Sequence, residues 1–170
     1  MSIPPVRKPL TEEGYHSTLN PDRQRRGAQM HQRILEIVVF LADELNRRGG
    51  ELKDIAKLSD DLRRQGYTEN EISAALSWLF ERLEEGRRWE GTTYSGVRVL
   101  HEVERRVLSP EAYGYLLQLR ALGLITPGQM EATIERAIMT GAGRVDKEDI
   151  KALVASLLFG EGVDGGETLH

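Results

Sequence analysis

The sequence predicts an all-α fold, with two small three-helix units packed together and joined by a Gly-rich linker that holds at most a short extended segment. Two observations carry this. Apolar residues recur at three- and four-residue spacing in six windows, as one buried helical face requires. Start and stop signals bound those windows: Thr68 with Glu71, Ser109-Pro110, Thr126-Pro127 and Asp146 in front, and Gly49-Gly50, Gly66, Gly86, Gly123, Gly141 and Gly160 behind.

Residues 1–29 read as a disordered, basic N-terminal arm. Pro4, Pro5, Pro9 and Pro21 punctuate it, and apolar residues are sparse. Five basic residues (Arg7, Lys8, Arg23, Arg25, Arg26) stand against three acidic ones (Glu12, Glu13, Asp22), a net charge of +2. Such an arm is a solvated tail or an electrostatic contact for nucleic acid or an acidic partner.

An N-terminal three-helix unit is expected over residues 30–86. Its first helix carries Ile34, Ile37, Val38, Leu41 and Leu45 on one stripe, with Leu35, Val39 and Phe40 on other faces. A helix apolar nearly all round belongs at the centre of a fold. Glu36 and Asp43 interrupt a run already too short to span a bilayer. The second helix, over 52–65, buries Leu52, Ile55, Leu58 and Leu62 and stops at Gly66. The third runs from the Thr68–Glu71 capping box to Gly86 and buries Ile72, Ala75, Leu76, Leu79 and Leu83. Trp78 points away from that stripe, so the other half of the chain or a partner must cover it.

Residues 87–108 read as a linker with a short extended or helical piece: Gly-rich to Gly96, extended at Val97–Leu100, then a short helix over His101–Leu108. The C-terminal unit spans 109–160. Tyr113, Leu116, Leu117 and Leu122 mark its first helix, Met130, Ile134, Ala137 and Ile138 its second, and Ile150, Leu153, Val154, Leu157 and Leu158 its third, which Phe159 extends. Residues 161–170 form an acidic, Gly-rich tail expected to be flexible.

Composition narrows the chemistry. The chain has 170 residues, 39% apolar and 29% charged, with a net charge of −4. That balance does not favour a dedicated nucleic-acid binder. With no cysteine, thiol nucleophiles, disulfides and thiolate zinc sites are excluded. No apolar signal core or membrane-length run is present, so a cytoplasmic location with no membrane contact is expected. The four histidines, His16, His31, His101 and His170, are not spaced as metal ligands, and His101-Glu102-x-Glu104 is the nearest approach to a ligand set. No nucleophile elbow or phosphate loop occurs, and Gly141-Ala142-Gly143-Arg144 reads as a turn. The expectation is a protein with no enzyme activity, no cofactor and no metal.

Two readings of function remain. The favoured one is a protein-interaction module whose candidate partner-binding residues are Trp78, Arg87, Arg88, Trp89, Tyr94 and Tyr113, residue types that anchor interfaces. The bland alternative is that Trp78 and Tyr113 join the two helical halves and Trp89 folds over the linker. The runner-up function is helix-turn-helix nucleic-acid binding, through the second and third helices or through 109–141. It is weakened by Glu69, Glu71, Glu81, Glu84 and Glu85 on the third helix, whose charge repels phosphate.

Four blocks, in order and spacing, resemble the Smg family, a group of small bacterial proteins of unknown function. They are Ile34-Leu35-Glu36-Ile37-Val38-Val39-Phe40-Leu41; Gly66-Tyr67 through Glu71-Ile72 to Ala75-Leu76-Ser77-Trp78-Leu79; Ser109-Pro110 through Tyr113 to Leu116-Leu117; and Ile134 to Ile138 with Asp149-Ile150-Lys151 through Leu157-Leu158-Phe159. The resemblance covers Met30 to Gly160. It implies an all-helical cytoplasmic protein with no assigned activity. Family genes often neighbour those for a type I topoisomerase and a DNA-processing protein, which implies a DNA-linked role by association. Family members commonly begin near the position of Met30, so the resemblance implies that 1–29 is an extension or an early-start artefact.

Overall fold

Ile34, Leu35, Ile37, Val38, Leu41, Ala42 and Leu45 all turn inward from one helix, and the rest of the fold is laid against them. The computed structural model describes residues 21–50, 52–84, 98–140 and 143–160. Within them lie seven helices: α1 (Pro21–Arg47), α2 (Ile55–Arg64), α3 (Glu69–Glu84), α4 (Glu102–Val107), α5 (Pro110–Ala121), α6 (Pro127–Met139) and α7 (Lys147–Phe159). The all-α expectation is borne out. The parts of the predicted arm, linker and tail at 1–20, 85–97 and 161–170 lie outside the described residues.

α1 begins at Pro21, ahead of the Met30 that the apolar pattern marks. Residues 21–29 are therefore helical where a disordered arm was expected. Once the buried stretch from Ile34 fixes a helix, each added residue gains a hydrogen bond without a new nucleation cost. Gln24, Arg25, Arg26, Ala28 and Gln29 are good helix formers, and Pro21 sits at the first position, where proline is tolerated. At the far end Gly49 and Gly50 adopt positive φ, and the Gly50 N–H donates to the Leu45 carbonyl (2.9 Å), closing the helix.

α2 is shorter than the predicted 52–65. Asp54 enters it in the left-handed region (φ 58°), so Leu52 and Lys53 stay outside the helix. Aspartate is one of the few residues that visits that region at low cost. Leu52 still packs on the core from the loop. The Gly66 turn then leads to Thr68, whose backbone N–H donates to Glu71 Oε2 (2.8 Å), while the Glu71 N–H donates to Thr68 Oγ1 (3.3 Å). The predicted capping box is formed.

The second half follows its signals closely. Ser109, Thr126 and Asp146 accept from the backbone N–H groups of Ala112, Gln129 and Asp149, which start α5, α6 and α7. Residues 98–100 lie outside any helix, and Val97 lies outside the described residues. Residues 98–100 carry no β pairing; instead Leu108 makes an isolated parallel bridge with Val145. The Ser109 N–H donates to the Val145 carbonyl (2.9 Å) and the Val145 N–H to that of Val107 (2.7 Å).

The two halves of the chain are packed together through α1. α1 packs on both α3 and α7, α7 packs on α5 and α6, and the buried side chains form one cluster from Ile34 to Ala155. α1 is shared between the halves. Leu41, 1% exposed on the buried stripe of α1, tests this centrality: Leu41→Ala should cost about 2–5 kcal/mol in urea denaturation. A chain truncated to start at Met30 keeps every buried residue among the described ones and should unfold at an unchanged urea midpoint.

Candidate interaction face

Arg33 and Glu36 are one helical turn apart on α1 and flank its buried stripe, so both lie where α1 meets its neighbours. Arg33 Nε donates to Glu71 Oε1 (2.6 Å) and Nη2 to the Gly66 carbonyl (2.7 Å), and its guanidinium lies 4.8 Å from the centre of the Tyr67 ring. The Tyr67 hydroxyl donates to Glu36 Oε2 (2.9 Å). Glu36 Oε1 accepts from Lys151 Nζ (2.8 Å), which also donates to Glu148 (2.9 Å). An unbroken polar chain thus crosses from α3 through α1 to α7.

The charges in this chain are held fixed. The hydrogen bond from Arg33 keeps the Glu71 carboxyl below the usual carboxylate range. Burial pushes Glu36 upward, but hydrogen bonds from Lys151 and Tyr67 outweigh it and hold the carboxyl low. Burial likewise pulls Lys151 down, and its bonds to Glu36 and Glu148 outweigh that and raise it. Burial pushes the Tyr115 phenol, under the Lys147 ammonium, up to about 12. Every resolved shift among the described residues runs away from neutrality: arginines, lysine and tyrosines rise and glutamates fall. A general acid or base needs the opposite.

Beyond this chain, toward the exposed start of α1, lies an aromatic seam. The Trp78 ring meets Phe159 of α7 edge to face at 5.4 Å, and Phe159 meets His31 of α1 at 6.3 Å. The Arg82 guanidinium lies 4.3 Å from the centre of the Trp78 ring and donates to the Leu124 carbonyl (2.9 Å). Trp78, Phe159 and His31 are half-buried, and Met30, the residue before His31 on α1, is 42% exposed. The seam therefore closes the junction of α1, α3 and α7 while leaving aromatic edges in solvent.

Of the residues singled out from the sequence, Trp78 is in this seam. Tyr113 is elsewhere: its hydroxyl donates to the Arg98 carbonyl, and Arg98 in turn is clamped by Glu104 (2.8 Å) and Glu131 (2.5 Å). Arg87, Arg88, Trp89 and Tyr94 lie outside the described residues. Glu104, the carboxylate of the His101-Glu102-x-Glu104 set, accepts from Arg98 and from the His101 backbone N–H (2.7 Å). Among the described residues no three histidine, aspartate or glutamate side chains are grouped to hold a metal ion, and no helix is long and apolar enough to cross a membrane. The sequence reading missed His31, Arg33, Glu36 and Lys151. Only Lys151 carried a local signal, a charge among the buried positions of an amphipathic helix.

The molecule so described is a small helical protein with a fixed polar junction and a half-open aromatic seam. Residues 34–167 match the model of the family described as "Protein of unknown function (DUF494)", and relatives in it carry the Smg name; the chain belongs to this Smg family. It is 31% identical over 135 residues to a "Protein Smg homolog" from Herminiimonas arsenicoxydans, covering 76% of this chain and 85% of the relative. It is 28% identical over 134 residues to the "Protein Smg homolog" of Stenotrophomonas maltophilia (strain K279a), covering 78% and 85%. It is 26% identical over 133 residues to "Protein Smg" of Sodalis glossinidius (strain morsitans), covering 74% and 84%. No solved structure matches the chain.

The lowered carboxyls set the pH response. Glu36, Glu71 and Glu104 have folded pKa values below their unfolded ones, so in the acid range the unfolded chain binds more protons and stability rises with pH. Their contribution is complete above the unfolded value of about 4.3 and is lost as pH falls through the folded values. The melting temperature should therefore drop below about pH 5. In Glu71→Gln the drop should be shallower, with a loss of about 1–2 kcal/mol at neutral pH, modest because Arg33 remains partly solvated.

Proposed function

We propose that this chain is a non-catalytic protein-interaction module of the cytoplasm, whose partner protein seats on the seam formed by Trp78, Phe159, His31 and Met30. The observation that carries the reading is the half-exposed Trp78 ring, held between Phe159 and the Arg82 guanidinium. Tryptophan and arginine are among the residues that dominate binding energy at protein interfaces, and methionine is enriched there. A ring already immobilised in the free protein loses little side-chain entropy when a partner covers it. The carboxylates of Glu36, Glu71 and Glu104 are committed to structural pairs, which supports a non-catalytic role for them.

Helix-turn-helix binding of nucleic acid draws less support. On α3, Glu69 is held by Arg63 (2.7 Å) and Glu71 by Arg33, and α6 exposes Glu131 and Glu135 around Arg136. Glu71 is buried, and the exposed carboxylates of Glu69, Glu131 and Glu135 would repel phosphate.

The test is affinity capture from nuclease-treated native lysate with the full chain, beside Met30→Asp. Met30 is exposed, so the variant should melt as the parent does. A discrete protein should be retained by the parent and lost with Met30→Asp. Retention of that protein by the variant, or release of all bound material by nuclease, would count against the seam.

A further inference from the structure

The first turns of α1 are a separate surface. Pro21 to Gln29 is helical and exposed except at Gly27, and it lies outside residues 34–167 that the family model matches. From Pro21 to Arg33, α1 extends about 20 Å at the helical rise per residue. Arg23, Arg25 and Arg26 fall within this stretch, and none forms an ion pair with any described residue. At 100° per residue Arg25, Arg26, Gln29 and Gln32 share one face. That face lines a shallow hollow of about 420 Å³ together with Asp22 and Ala28. Asp22 is the one carboxylate there, and it is already engaged. Three arginines against one aspartate give the stretch a charge of +2 in a chain of −4, which leaves −6 elsewhere.

The make-up of the face selects its occupant. A protein partner needs an apolar anchor, and Pro21 to Gln29 offers no apolar side chain larger than Pro21. A phosphate backbone needs only positive, donor-rich side chains at helical spacing, and guanidinium and carboxamide groups supply both. We propose that the exposed N-terminal turns of α1 bind the phosphate backbone of nucleic acid, without reading sequence, through Arg25 and Arg26 on this face and Arg23 on the adjoining side next to Arg26. This surface is distinct from the Trp78 seam and does not depend on it.

Fluorescence anisotropy with labelled 30-nucleotide single- and double-stranded DNA tests this, using the full chain at 50 and 200 mM salt. The comparison is with R23Q/R25Q/R26Q and with Arg136→Gln on α6. Glutamine matches arginine in helix propensity, so folding is preserved, and circular dichroism verifies it. Three phosphate contacts predict about a 40-fold loss of duplex affinity between the two salts. The triple variant should bind weakly and lose that dependence, and Arg136→Gln should bind as the parent does. Three results would overturn the proposal: no salt-dependent binding by the parent, an unchanged salt response in the triple variant, or an equal loss in Arg136→Gln. Displacement of the DNA by poly-glutamate at equal charge would overturn it too, in favour of an acidic protein.

Discussion

A helix that is apolar over more than half its circumference cannot rest on one neighbour, and α1 meets this constraint by lying between α3 and α7. Apolar burial is non-directional and would accept many rotations and slides of these helices. The polar residues at the edges of the stripe narrow the choice. Arg33 has one geometry in which it reaches both Glu71 and the Gly66 carbonyl, and Glu36 has one in which it meets Tyr67 and Lys151. Glu71 serves twice, since the carboxylate that anchors α1 also closes the capping box that starts α3. The start of α3 and its position on α1 are therefore set by the same side chain.

The fixed charges and the half-open seam divide the molecule into a rigid interior and an adaptable end. Toward the middle of α1, neighbouring groups answer every shifted titratable group. Toward its start, the polar chain gives way to rings and then to guanidinium groups that pair with no described residue. The residues of both proposed binding surfaces thus lie where α1 leaves the bundle.

Much of the fold was legible because its signals are local. A capping box, a serine-proline start or a glycine stop involves residues three or four apart, and those at Thr68, Ser109, Thr126, Asp146, Gly49-Gly50, Gly66 and Gly123 formed where the sequence marks them, while Gly86 and Gly141 lie outside the described residues. What the sequence hid is long-range. Lys151 pairs with Glu36 and Arg33 with Glu71, and nothing at either position names the other. Trp78 was correctly read as off the stripe of α3, but its neighbour Phe159 follows only from where α7 docks. The helical turns before Met30 escaped because they bury nothing, and apolar periodicity reports only burial. The left-handed Asp54 escaped because no glycine marked the turn.

The bridge between Leu108 and Val145 has a kinetic meaning. It ties the chain just before α5 to the chain just before α7, so α5 and α6 form a closed loop with a hydrogen-bonded neck. Once the neck is made, the entropy of bringing its ends together has already been spent, and the inner contacts form over shorter effective distances. Opening runs the other way. While the neck holds, α5 and α6 can fray only within their loop, so their amide protons should exchange as one cooperative group, apart from those of α1 and α3.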